Sequence, residues 1–120
     1  MCLHPLKTIN FLWWTFPKVQ HAKEDITVYK VLDYDGYSKY IFYKYRSGLN
    51  FPQEKDSLKI YKRENNGLVG KGWLHCYKEC FAAKRVAIWG AESVAKMVIP
   101  KGTKYILGTD HEICAKCLKW

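Results

Sequence analysis

An α+β fold is predicted for this chain: a small antiparallel β-sheet packed by one main helix at about residues 77–89. Three observations point to it. Short runs of β-branched and aromatic residues recur between turn formers, as in "EDITVYKVL" and "ESVAKMVIP". One stretch, "YKECFAAKRVAIW", carries its apolar residues at helical spacing. The 120 residues are 48% hydrophobic and 26% charged, which suits one domain with its own core.

The elements follow in chain order. Residues 1–23 read as an irregular amino-terminal arm punctuated by Pro5 and Pro17, and residues 24–120 as a single α+β domain. Within the arm, "INFLWWTF" is apolar but far too short to span a bilayer, and no small-residue cleavage pattern follows it. It is expected to pack on the domain, and the part from Phe11 to Phe16 is the candidate surface for a homo-oligomer or a protein-interaction module. The body opens with a strand carrying Ile26, Val28, Val31 and Leu32. "DYDG" supplies turn chemistry, and "YSKYIFYKY" resumes as the second arm of a hairpin. "SGLNFPQEKDS" is a loop by its Gly, Pro and polar content, "LKIYKR" a short strand, and "ENNGLVGKG" a connection. Over 77–89 the helical register is set by Tyr77, Cys80, Phe81, Lys84 and Ile88, and Gly90 suits the stop. "ESVAKMVIP" is a strand closed by the turn "IPKG", and "KYILG" and "EICAKCLKW" complete a β-rich carboxy-terminal part.

Charge and rings frame the function. The formal net charge is +9 and aromatics are 16% of residues, a pairing that favours an anionic partner carrying a ring system. Solvation by lysine and sheet filling by tyrosine would produce the same composition. No block of like charge occurs, which places nucleic acid behind a small phosphorylated or nucleotide ligand. The odd count of five cysteines, with no signal peptide, points to a reducing, cytoplasmic setting.

Three chemistries compete around "KGWLHCYKEC". Cys76 and Cys80 with Cys114 and Cys117 offer four thiolates for zinc, yet residues three apart in a strand face opposite ways, and free cysteine is commonly a core residue. A thiol enzyme acting on a nucleotide or acyl substrate would use His75 as acid–base and Cys76 or Cys2 as nucleophile. A helix amino terminus would depress the Cys76 pKa, but no third, orienting group is identifiable. "GLVGKG" lacks the first Gly and the Ser or Thr of a phosphate-binding loop, though amides beside Lys71 could still cradle an anion. The leading expectation is a non-enzymatic binder without a cofactor, its contacts drawn from His75, Trp73, Lys71, Arg85, Lys101, Lys104 and Tyr105. The bases would stack on Trp73 or Tyr105, and the phosphates would take the cations.

"MCL", "EDITVYKVL", "GWLHCYKECFAAK", "VAKMVIPKGTKYILG" and "EICAKCLKW" together resemble a group of small uncharacterised proteins of bacteria and their phages. In that group a Gly-aromatic-His motif precedes a helix and an I-P-K-G-T-x-Y turn precedes a closing strand. Here the first is Gly72-Trp73-Leu74-His75, one residue longer. The resemblance covers about residues 25–120 and implies a fold, with no activity to transfer. Phage genomes hold compact proteins that sequester cyclic nucleotide immune signals. By analogy the expected role is counter-defence by sequestration, in the host cytoplasm.

Overall fold

The computed structural model describes residues 5–11, 14–33, 36–38, 44–52, 61–62, 72–87 and 93–120. These form β1 (Thr8–Phe11), β2 (Trp14–Pro17), β3 (Gln20–His21), β4 (Ile26–Leu32), β5 (Leu49–Asn50), β6 (Tyr61–Lys62), β7 (Leu74–Tyr77), α1 (Cys80–Val86), β8 (Ser93–Ile99), β9 (Lys104–Leu107), β10 (Glu112–Ala115) and β11 (Leu118–Lys119). An eight-stranded sheet runs in the order β3-β9-β10-β7-β4-β8-β11-β5, and β1-β2-β6 make a second sheet of three strands. All pairings between these strands are antiparallel.

The main sheet cannot be flat. β10 and β11 stand four places apart in its order, about 19 Å at the usual strand spacing. Yet Ala115 and Leu118 are joined by two residues, a reach of about 11 Å at most. The sheet therefore curls towards a barrel, and its concave side closes on one core of Val28, Leu32, Tyr45, Leu74, Cys76, Met97, Ile99, Ile113, Ala115 and Leu118. α1 covers part of the convex side, where Ala82 and Ala83 pack on Val31 and Tyr77. A smaller cluster beside it joins Trp73, Ile106 and Cys114.

The expected class stands as an antiparallel sheet packed by a helix, but the sheet is large. Its size escaped the sequence because six of the eleven strands have only two residues or lie in the first seventeen positions. The segment read as an irregular arm carries β1, β2 and β3, with Gln20 opposite Tyr105. Phe11 pairs with Trp14 in the β1–β2 ladder, while Leu12 and Trp13 lie outside the described residues. Strand 37–45 is represented by the bridges Leu32↔Ser38 and Tyr37↔Lys44, and of the expected strand 58–63 only β6 is described. The helix is shorter than 77–89. Tyr77 ends β7, opposite Glu112 and Tyr29, and α1 begins three residues later. Leu74, His75, Cys76 and Tyr77 are all buried because both faces of β7 are covered, so no alternation marks the strand. Ile88 and Trp89 fall outside the described residues.

Candidate ligand-binding groove

Along β7 consecutive side chains take opposite faces. Leu74 and Cys76 enter the concave core, leaving His75 and Tyr77 on the helix side. His75 is only 3% exposed and sits opposite Cys114 in β10. A sealed imidazole cannot meet a ligand, so His75 is a core residue. Trp73 is buried too. Lys116 lies 4.3 Å from its ring centroid and donates to the Gly72 carbonyl at 2.7 Å, capping the indole that was expected to stack on a base.

Cys76 is no nucleophile. The strand holds it away from any helix terminus, and burial pushes its thiol up to about 12, only partly countered by the Lys30 ammonium. Its sulfur lies 3.4 Å from the Ile113 carbonyl. Cys76 and Cys114 belong to clusters on opposite sides of the sheet, with Cys80 on α1, so these thiols do not converge on one ion. Among the described residues no group of three or more His, Cys, Asp and Glu could hold a metal. Cys2 and Lys71 lie outside the described residues.

The remaining expected contacts are dispersed. Tyr105 is half-buried against the concave core, its hydroxyl 3.1 Å from Gln20 Oε1. Lys101 is exposed in the β8–β9 turn, where its backbone N–H donates to Asp25 Oδ1 at 2.9 Å. Lys104 opens β9, about 10 Å by strand rise from Leu107 at the other end. Of these candidates, Arg85 lines the groove between α1 and the β9–β10 turn.

That groove, of about 550 Å³, runs between α1 and the β9–β10 turn. Lys78, Arg85 and His111 bring positive or titratable groups to it, Asp110 and Glu112 bring carboxylates, and Leu6, Ala82, Val86 and Leu107 form apolar walls. Lys84 and Arg85 fall in the last turn of α1, where the helix dipole favours cations. Phe81 is exposed one turn earlier. Its ring meets His111 edge-on at 5.0 Å, and Arg85 lies 5.7 Å above it.

The turn is unusual. Asp110 (φ 57°) and His111 (φ 61°) are both left-handed without being glycine. Glu112 N–H closes the turn on the Thr109 carbonyl at 3.1 Å, and Lys78 N–H donates to the His111 carbonyl at 2.8 Å. Two-residue hairpin turns of this hand normally use Asn-Gly, so "DH" holds side chains at a strained tip where glycine would place none. Lys78, Phe81 and His111 were missed in the sequence. The one available signal was that pair of non-glycine residues between two strands.

No protein-family model, curated protein or solved structure matches this chain. The resemblance to small bacterial and phage proteins, drawn from the five quoted stretches that include Gly72–His75 and the Ile99–Tyr105 turn, rests on those sequence stretches alone. Among the described residues no helix is long and apolar enough to cross a membrane.

Proposed function

We propose that this chain is a non-enzymatic binder of a small phosphorylated ligand, seated between α1 and the β9–β10 turn. The observation that carries the reading is the convergence of Lys78, Arg85 and His111 on one groove, with Phe81 holding two of them from its rim. Arg85 offers a planar fork that matches two phosphate oxygens, and Lys78 adds a point charge. The exposed Phe81 ring gives a base a face to stack on. Asp110 and Glu112 are acceptors suited to sugar hydroxyls or base amines, which favours a nucleotide over bare phosphate. The strained turn fits this use, since a tip built only for stability would carry glycine.

Cyclic nucleotides and ADP-ribose derivatives head the ligand class, with sequestration as the mode of action. The buried Cys76 and His75 argue against the alternative enzyme that would use them. Titration calorimetry of the intact chain with cyclic di- and trinucleotides and with ADP-ribose tests the reading. At least one should bind, and R85A should weaken it about 10- to 150-fold, the range for a lost charge-assisted bond of about 1.5–3 kcal/mol. The ligand should return intact after denaturation of the protein. Absence of heat across the panel, or indifference to R85A, contradicts the proposal.

A further inference from the structure

Strand pairing gathers three basic side chains into one row at the β3 end of the large sheet. His21 of β3 stands opposite Lys104 of β9. Lys104 stands in turn opposite Lys116, the next step of the ladder that sets Ala115 against Tyr105, and Lys116 N–H donates to the Lys104 carbonyl at 3.0 Å. Residues facing one another across antiparallel strands point to the same side, about 4.5–5.5 Å apart. Alternation along β9 and β10 puts this row on the side of Ile106 and Cys114, whose cluster also holds Trp73 and Val19. Lys116 lies over the Trp73 ring, so Trp73 takes the next place in the row.

The same-face neighbours along these strands are Val19, Gly102, Ile106 and Cys114, and none is a carboxylate. Like charges directly opposite one another destabilise a sheet, so the row is a cost that an anion would relieve. His21 and Lys104 are exposed, while Lys116 is half-buried and fixed by its bond to the Gly72 carbonyl. Three strands at the usual spacing give the row a length of about 10 Å. Val19, Ile106 and Cys114 interrupt the charge along each strand, which makes it a line and not a patch. It lies about 14 Å along β10 from Glu112 at the groove. Lysines scattered in the sequence are thus collected by strand pairing, which removes the reason for ranking a polyanion below a small ligand.

We infer that the His21–Lys104–Lys116 row binds the phosphodiester backbone of nucleic acid. A line of cations fits a linear polyanion, whereas a membrane presents its charge over an area. The large ring in the row, Trp73, is buried beneath Lys116, so no base stacks on it and the contact reads neither sequence nor strandedness. Its affinity comes from release of counterions condensed on the polymer, a source that a single small nucleotide lacks. The row and the groove therefore take different partners.

Fluorescence anisotropy of a labelled duplex of about twenty base pairs, and of one of its strands, against the intact chain tests this. Both should bind, weakening about 10- to 40-fold between 50 and 200 mM salt if two or three phosphates are neutralised. K104E should weaken binding about 10-fold at 50 mM salt and reduce the salt slope by about 1 or more. Its melting temperature should not fall, because a carboxylate between two basic side chains replaces repulsion by attraction. K104Q, which only removes the charge, should give a smaller loss of binding. The two sites are read separately, the groove by R85A and the row by K104E. Four results would overturn the inference: no binding at 50 mM salt, indifference to both Lys104 variants, a loss on R85A as large as on K104E, or tighter binding to phosphatidylserine vesicles than to the duplex.

Discussion

Lys30 is a charged side chain placed inside the concave core, and replacing it by methionine should make the protein more stable. The register that sets Tyr29 opposite Tyr77 places Lys30 opposite Cys76, and both side chains point into the concave core. Lys30 is 8% exposed, donates to the His75 carbonyl at 2.5 Å and lies 5.5 Å from the Tyr45 ring centroid. Burial lowers its pKa from 10.5 to about 8, against a smaller opposing effect of Cys76. A lysine whose folded pKa lies below its unfolded one binds fewer protons when folded, so stability rises with pH between about 8 and 10.5. At pH 7 the shift corresponds to about 3 kcal/mol of lost stability. Lys30→Met removes that penalty and forfeits one hydrogen bond of about 1 kcal/mol, a net gain of about 2 kcal/mol at pH 7. By pH 10 the wild type has recovered most of the penalty and the two proteins should be within about 1 kcal/mol. Urea denaturation of both at pH 7, 8, 9 and 10 measures this. A variant less stable than wild type at pH 7, or a difference that widens towards pH 10, would refute the reasoning.

Further outcomes follow from the same geometry. Cys76 should resist iodoacetamide at pH 8 in the native protein and react only on unfolding, whereas half-buried Cys80 should label first among the described cysteines; peptide mass mapping reports the order. His111→Gly relieves a left-handed residue, worth about 1 kcal/mol, and loses the edge contact with Phe81, so stability should rise by about half a kcal/mol while ligand affinity falls. Thermal denaturation and calorimetry together check that opposition. Ile113→Ala empties a fully buried position in the concave core and should cost about 2–5 kcal/mol in the same urea assay.

Much of the framework was legible in the residues. β4 and β8 announce themselves through β-branched alternation, and they make the longest ladder, from Ile26↔Ile99 to Leu32↔Ser93. Pro100 and Gly102 placed the β8–β9 turn, where Gly102 takes φ 87°. Two-residue strands such as β3, β5 and β11 carry no period to detect, and their pairing is decided by long-range register. The site was less legible for a different reason. Trp73 and His75 advertised a pocket by residue type, but coverage of both faces of β7 made them core. Lys78 and His111 lie 33 positions apart and meet because β7 pairs with β10, a ladder that the Lys78 amide extends by bonding the His111 carbonyl. Arg85 was named for its charge, among the cations expected to take phosphates, and the last turn of α1 is where a cation is favoured.

The groove is best tested by amide chemical-shift mapping of the labelled protein titrated with ADP-ribose and a cyclic dinucleotide. Binding in the proposed seat predicts saturable shifts concentrated at Lys78, Phe81, Arg85 and residues 109–112, with little change at Trp73, His75 or Lys104. Shifts absent from that cluster, or centred on another part of the fold, would contradict it.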